Sequence, residues 1–442
     1  MSIVGIIAEY NPFHNGHAYQ IQKARQTFGQ NTPIVCVMSG SFVQRGEPAI
    51  TSKWVRTQAA LICGADLVIE IPFTFACASA ERFATGAVEI LNHTGIVSDL
   101  YFGSECDDLS MLCCIAEEYD EENPIYISAL RANLKQGQSF AKAREKAIFE
   151  FFNQSGRLDL AHAVAQILNM PNSILALEYL TALRRTNSTI KPSSLLRKGA
   201  GYLDCSTDTS FSSATGIRKA LFEHIVDNQL DICSAASQLN GKMPDASLSL
   251  MLSEWQKGYH PVFPEHLIAE FLINLRSKTA EELENIAYMT DRLPLRLKNA
   301  ISRLREPESN NLYESFRNHA DTRRYAGTRI SRALISMLVG HRAEDIDTIK
   351  KPEYLRILGF SDVGRNLLSQ MRKKATLPII DKASMFENPS ATSAFKRIAE
   401  LDIISSMLWN QHAGYRFDEE YGRVVIRLSK KQLRDRYIFL DY

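Results

Sequence analysis

The chain has 442 residues, more than one ordinary hydrophobic core supports, so two or three domains are expected. Apolar content of 45% and charged content of 23% are those of a soluble globular protein. The net charge of +1 excludes a global field that draws in polyanions, so any nucleic-acid contact must come from a local basic surface.

Cys36, Cys63, Cys77, Cys106, Cys113, Cys114, Cys205 and Cys233 form no C-x-x-C pair, and several sit in apolar runs. That pattern suits reduced, buried thiols rather than a disulfide framework or a zinc site. The start, Met1-Ser2-Ile3-Val4-Gly5, lacks the basic region of a signal peptide. No segment approaches the eighteen or so apolar residues of a membrane span. A cytoplasmic protein with no membrane partner is expected.

In chain order, Ile3–Ala8, Ile34–Met38, Leu67–Ile71 and Asp99–Phe102 read as strands. Gly16–Phe28, Thr51–Cys63 and Ala78–Leu91 carry helical spacing between them. Continuous β-branched runs mark strands buried on both faces of a parallel sheet, and the alternation is that of a doubly wound α/β fold. Ligands in such sheets bind beyond the carboxyl ends of the strands. Tyr10–His17, Ser39–Pro48 and Gly103–Glu105 stand at three of those ends. Met111–Asn153 reads as mostly helical, followed by helices at Asn172–Leu183 and from near Ala214. From Ser247 to Lys374 the pattern is almost wholly helical, and residues 291–374 carry 18 Lys+Arg against 10 Asp+Glu, a local +8. Arg423–Leu428 and Tyr437–Tyr442 read as short strands packing back on the body. The division expected is a catalytic α/β domain over 1–245, a basic helical region over 246–375 and a small C-terminal segment over 376–442.

The chemistry concentrates in Asn11-Pro12-Phe13-His14-Asn15-Gly16-His17, after the first strand and at a helix start. A helix N-terminus offers free N–H groups and partial positive charge, which suit a phosphate. His14 and His17, three apart, share one face of the first turn and are placed to stabilise a phosphoryl group in its transition state. A second element, Ser213-Ala214-Thr215-Gly216-Ile217-Arg218, also opens a helix.

The first motif resembles the H-x-G-H signature of the nucleotidyltransferase superfamily. The second resembles that superfamily's S-S-T-x-I-R motif, with Ala214 in place of the second serine. With Met38-Ser39-Gly40-Ser41-Phe42-Val43-Gln44-Arg45-Gly46-Glu47-Pro48, Gly103-Ser104-Glu105, Pro171-Asn172-Ser173-Ile174-Leu175 and Arg197-Lys198, the chain is similar to the bacterial tRNA(Met) cytidine acetate ligase family. The resemblance covers most of the first 225 residues and continues more weakly to the C-terminus.

That resemblance implies a Rossmann-like nucleotidyltransferase domain followed by a mainly helical region. It implies ATP and acetate as substrates, acetyl-adenylate as the intermediate, and transfer to N4 of the wobble cytidine of elongator tRNA(Met). Mg²⁺ is expected on the phosphates, and no residue is assigned as a metal ligand. His14 and His17 are the implied catalytic residues. ATP contacts are implied at Ile7, Ala8, Glu9, Tyr10, Asn11, Pro12, Phe13, His14, Asn15, Gly16, His17, Ala18, Tyr19 and Gln20, and at Gly103, Asn172, Arg197 and Lys198. Ser213, Thr215 and Arg218 are candidates for the β- and γ-phosphates, and Arg45 for the carboxylate or pyrophosphate.

In the basic helical region, Arg323, Arg324, Arg329 and Arg332 lie near Tyr325, a combination that suits RNA phosphates and stacked bases. Arg303, Arg305, Lys350, Lys351 and Arg372-Lys373-Lys374 add to that charge. The competing readings are a metabolic adenylyltransferase acting on a phosphorylated cofactor precursor and a non-enzymatic RNA-binding protein. The long basic helical region disfavours the first, and paired histidines at a strand end disfavour the second.

Overall fold

The computed structural model describes residues 2–118, 121–168, 170–197, 213–226, 229–304, 311–322 and 325–429. Lys198, Cys205, Arg305, Arg323, Arg324 and the expected strand Tyr437–Tyr442 lie outside the described residues. The strands are β1 (Val4–Ala8), β2 (Ile34–Ser39), β3 (Leu67–Ile71), β4 (Asp99–Ser104), β5 (Lys191–Leu196), β6 (Ile225–Val226), β7 (Gln229–Leu230), β8 (Leu355–Ser361), β9 (Ile379–Ile380) and β10 (Ile426–Leu428). The main sheet runs in the order β10-β8-β3-β2-β1-β4-β5, with β9 also paired to β8, while β6 and β7 form a separate hairpin. From β3 to β5 every pairing is parallel; β8 joins antiparallel to β3.

The four strands read from the sequence are present, because their side chains alternate between two apolar layers. Ile7, Val35, Val37 and Ile69 face one layer with Phe83, Val88 and Leu91. Val4, Ile6, Cys36, Met38 and Val68 face the other with Ile21, Trp54 and Leu61. With both faces covered, each strand becomes a continuous apolar run. The helices Asn15–Phe28, Lys53–Ile62 and Ala80–Thr94 connect them. Strand order reverses between β1 and β4, the switch point where ligands bind in such sheets.

Among the described residues β5 to β9 escaped the sequence reading; β6, β7 and β9 are two residues each, and β5 and β8 are the long ones. β5, Lys-Pro-Ser-Ser-Leu-Leu, is a half-exposed edge strand, so it lacks an apolar run, and Pro192 is tolerated at an edge. β8, Leu-Arg-Ile-Leu-Gly-Phe-Ser, falls within the stretch read as almost wholly helical, because a short apolar run has no period that separates strand from buried helix. The sheet therefore crosses the expected boundaries: β8 lies within 246–375, and β9 and β10 lie within 376–442.

The C-terminal helix Ser393–Ala413 packs beneath the loop that follows β2. Ser406 Oγ lies 3.4 Å from Ser41 Oγ, and Trp409 Nε1 donates to the Ala49 carbonyl at 2.6 Å. Asp402 accepts from Phe73 N and from the Tyr354 hydroxyl, each at 2.6 Å. Below them a buried ion cluster ties the two halves of the chain: Lys53 Nζ is 2.8 Å from Glu70 and 3.0 Å from Glu420, and Arg356 is 3.3 Å from Glu420. Burial opposes the Lys53 charge, but Glu420 and Glu70 more than reverse that and hold its pKa above the ordinary 10.5. Lys53→Met removes one partner and leaves Glu70 buried without its cation. It should lower unfolding free energy by about 3–5 kcal/mol. A denaturant titration yielding a change below about 1 kcal/mol would contradict a paired cluster.

Candidate active site

The first helix begins with its two histidines locked to the backbone. His14 is the N-cap, and its Nδ1 accepts from Gly16 N at 3.0 Å. His17 Nδ1 in turn accepts from His14 N at 3.2 Å. The arrangement is a capping box built from imidazoles instead of hydroxyl and carboxylate. Gly16 is required for it, since a Cβ there would stand 2.8 Å from His14 Cε1. The rings stack with centroids 3.8 Å apart, and Tyr10 and Phe13 flank the His17 ring at 4.8 and 5.5 Å.

This hydrogen bonding fixes the tautomer. A neutral imidazole has one donor and one acceptor nitrogen, so when Nδ1 accepts, Nε2 carries the proton. Burial, with Arg197 and Arg218 nearby, lowers His14 to about 3. Burial, His14 and Arg197 hold His17 well below its ordinary 6.5. Both are therefore neutral at pH 7, and each presents an Nε2–H donor.

Charge is supplied by the arginines. Arg218, on the helix Ala214–Phe222, donates to the Asn11 carbonyl at 2.9 Å and pairs with Glu47 at 3.2 Å. The structure thus brings the two motifs together although they lie two hundred residues apart. Ser213 caps that helix, accepting from Gly216 N at 3.1 Å, and Thr215 Oγ1 lies 3.5 Å from Arg218. Asn11 is itself buried, its Oδ1 accepting from Ile50 N at 2.8 Å. On the β4 side, Glu105 accepts from Ser173 N at 2.7 Å and from the Asn172 side chain, so it caps the helix Pro171–Arg185. Arg197 donates to Asn172 Oδ1, and its side chain passes over Gly103. Gly103, Asn172 and Arg197 thereby form one hydrogen-bonded group with Glu105.

The other implied contacts spread along the first motif. Ile7 and Ala8 close β1, and Glu9 follows with its carboxylate on Gln44 N at 2.8 Å. Burial raises the Glu9 pKa, opposed by that N–H and by Arg218 and Arg45. Pro12 follows Asn11 through a cis peptide. Asn15 donates to the Gly241 carbonyl at 2.8 Å, and Gln20 to the Tyr101 carbonyl at 3.2 Å. Ala18 and Tyr19 lie on the first two turns, where Lys23 sits 5.4 Å from the Tyr19 ring. Arg45 is half-buried in the loop after β2.

Of the arginines expected at RNA, Arg329 and Arg332 lie among the described residues, and neither belongs to a solvated row. Arg329 bonds Thr290 and Asp291 and lies 5.6 Å from the Tyr325 ring. Arg332 donates to the Gln44 carbonyl at 3.3 Å, against the loop after β2. Both are held by protein groups, and Arg332 belongs as much to the catalytic loop as to the helical region.

Sequence reasoning missed Arg56. It is 1% exposed, and among the described residues its hydrogen bonds go to the carbonyls of Glu9, Ser39, Gly40 and Thr51, with no carboxylate partner. Burial pulls its pKa down to about 10, which leaves it charged at pH 7. The available signal was two basic residues, Lys53 and Arg56, three apart in a helix that is otherwise apolar except for Thr57 and Gln58.

A doubly wound sheet with a two-histidine helix start at its switch point defines a nucleotidyl transferase, and residues 1–420 match the family described as HIGH Nucleotidyl Transferase. A tRNA(Met) cytidine acetate ligase of Acetivibrio thermocellus is 39% identical over 414 residues, 92% of this chain and 94% of that one. Another, of Halothermothrix orenii, is 35% identical over 416 residues, 93% of this chain and 94% of that one. Thermotoga maritima TmcAL bound with alpha-thio ATP shares the fold with a TM-score of 0.86 at 30% identity, over 97% of this chain and all of that one. The chain belongs to the tRNA(Met) cytidine acetate ligase family, as its motifs implied.

Neutral histidines have a measurable consequence. Because the folded-state pKa of His14 lies below the ordinary 6.5, the unfolded chain takes up the proton first. The resulting loss of stability begins as pH falls through about 6.5 and is complete near about 3. NMR of the imidazole nitrogens should show His14 as the neutral Nε2–H tautomer from pH 8 down to pH 5. Protonation near pH 6.5 would contradict the buried capping box.

Proposed function

We propose that this protein is an ATP-dependent ligase that activates acetate as acetyl-adenylate and transfers the acetyl group to N4 of the wobble cytidine of elongator tRNA(Met). The observation that carries the reading is the pair of neutral imidazoles whose Nδ1 atoms are spent on the helix start, leaving two Nε2–H donors beside Arg197 and Arg218. Such a site suits a phosphoryl group gaining charge in the transition state. The names of its relatives supply the acyl acceptor and the acid.

In the first step an acetate oxygen attacks the α-phosphorus of ATP and pyrophosphate leaves. His14 and His17 donate to the oxygens of the α-phosphate without giving up their protons. The helix N-terminus and the two arginines balance the developing charge. Ser213 and Thr215 offer hydroxyls at the N-terminus of the second helix. Arg45, in the loop that contacts Glu9, is assigned to the carboxylate or the pyrophosphate. Mg²⁺ enters as the counter-ion of ATP, carried on its phosphates.

In the second step the cytidine N4 attacks the acetyl carbonyl, AMP leaves, and the nitrogen loses a proton. Acetate is an unreactive anion and N4 a weak nucleophile; forming the mixed anhydride splits one difficult reaction into two easier ones. A tRNA substrate and an ATP supply support a cytoplasmic location; among the described residues no helix is long and apolar enough to cross a membrane. We assign it to the cytoplasm.

Acetate-dependent ATP–pyrophosphate exchange tests the chemistry. His14→Ala and His17→Ala should each lower it about 10²–10³-fold, the loss of one transition-state donor. Exchange that ignores acetate and responds to a phosphorylated cofactor precursor would favour the adenylyltransferase reading instead.

The basic helical region is proposed to hold the tRNA backbone. Arg332 is unsuited to testing this alone, since its contact with Gln44 reaches the catalytic loop. The triple variant Arg323→Ala, Arg324→Ala, Arg329→Ala should keep acetate-dependent exchange and weaken tRNA binding at all sequences alike. Each lost phosphate contact should flatten the log–log salt dependence by about one unit. An unchanged salt slope would move the RNA site elsewhere.

A further inference from the structure

The loop after β2 holds one acidic residue whose surroundings assign it a task. Glu47 Oε2 lies 3.2 Å from Arg218 Nη2, and the two side chains are 29% and 18% exposed. Arg218 is the cation that joins the two motifs: its Nη1 donates to the Asn11 carbonyl, between β1 and the histidines. It also contributes to the electrostatic surroundings of both His14 and Glu9. A guanidinium has five N–H donors in a rigid fork. Among the described residues three are engaged, with Asn11, Glu47 and Thr215, so the fork is held at a fixed orientation.

Glu47 is itself held firmly. Val43 N donates to the Glu47 carbonyl and Gly46 N to the Val43 carbonyl, both at 2.9 Å, and Phe42 pairs with Pro48 across the turn. Gln44 N is fixed on Glu9, and Gln44 Nε2 donates to the Ala78 carbonyl at 3.0 Å. Gly46 has φ +77° and lies against the helix Gly327–Val339, where a Cβ would come within 2.3 Å of Arg332 N. A carboxylate on so constrained a turn is suited to orienting its partner rather than to swinging away from it.

We propose that Glu47 is a positioning residue that orients the Arg218 guanidinium for the triphosphate of ATP. The proposal rests on the reading of Arg218 as a phosphate ligand. Glu47 touches no reacting atom; removing its charge while keeping its shape should leave the fold intact and let the fork rotate, so that ATP binding suffers and acetate saturation does not.

The test is a double-mutant cycle on the full-length protein, read by acetate-dependent ATP–pyrophosphate exchange and by calorimetric ATP binding, with a melting curve for each variant. Glu47→Gln should raise KM for ATP by about tenfold, the effect of one charge-assisted hydrogen bond. The KM for acetate should stay within about twofold, and Glu47→Asp should recover part of the loss. Arg218→Gln should weaken ATP at least as much. The double variant should be no worse than Arg218→Gln alone, because Glu47 acts through Arg218. Additive losses, or an unchanged KM for ATP in Glu47→Gln beside an impaired Arg218→Gln, overturn the proposal. An Arg218→Gln protein with normal ATP affinity overturns the phosphate reading beneath it instead.

Discussion

The candidate active site depends on one buried cation. Arg56 gathers the carbonyls of Glu9, Ser39, Gly40 and Thr51, so one guanidinium fixes the ends of β1 and β2 and the start of the helix between β2 and β3. Three of these carbonyls lie beyond the strands and that of Ser39 closes β2, and burying such groups unpaired would be costly. The rigid fork of an arginine satisfies four at once, where a lysine would offer a point charge. Everything downstream is referred to this anchor: Glu9 receives Gln44, Gln44 sets the turn bearing Glu47, and Glu47 meets Arg218 beside Asn11.

Around the anchor, the site separates its donors from its charges. The imidazoles contribute neutral N–H groups because their acceptor nitrogens are used in capping, and burial suppresses protonation. The arginines contribute charge, each steadied by a polar neighbour: Arg197 by Asn172 and Arg218 by Asn11 and Glu47. Charged histidines in this position would add to the repulsion between the cations of the cleft. A neutral pair gives directionality without that cost.

How far the sequence discloses this arrangement follows from the range of the interactions. β1 to β4 and their helices were legible because burial on both faces writes a continuous apolar run. His14, Gly16 and His17 were legible because a capping box is local, closed within four residues. Ser213 and Arg218 were recognisable as a motif, but their meeting with Asn11 is a tertiary fact. Glu47 and Glu105 act on an arginine and a helix start supplied by distant segments, and Arg56, legible only as a second basic residue in its helix, acts on carbonyls that local sequence does not place. Arg329 and Arg332 counted toward a basic surface by composition, whereas packing turns them toward Asp291 and Gln44. β8 was hidden for a further reason: its neighbours in the sheet are β3 and the end of the chain.

That last placement bears on biosynthesis. Chain growth delivers the first motif and the loop after β2 early, yet the floor of that loop comes from Asp402, Ser406, Trp409 and Glu420, more than three hundred residues later. Until those residues leave the ribosome, Lys53 and Glu70 lack the far half of their ion cluster, and the loop after β2 lacks the helix it rests on. Contacts of such sequence separation form late, after a large loop-closure cost. A nascent chain that already carries both histidines and Arg218 is therefore not yet an enzyme. Competence waits on residues 402–420, so activity follows their emergence rather than that of the motifs.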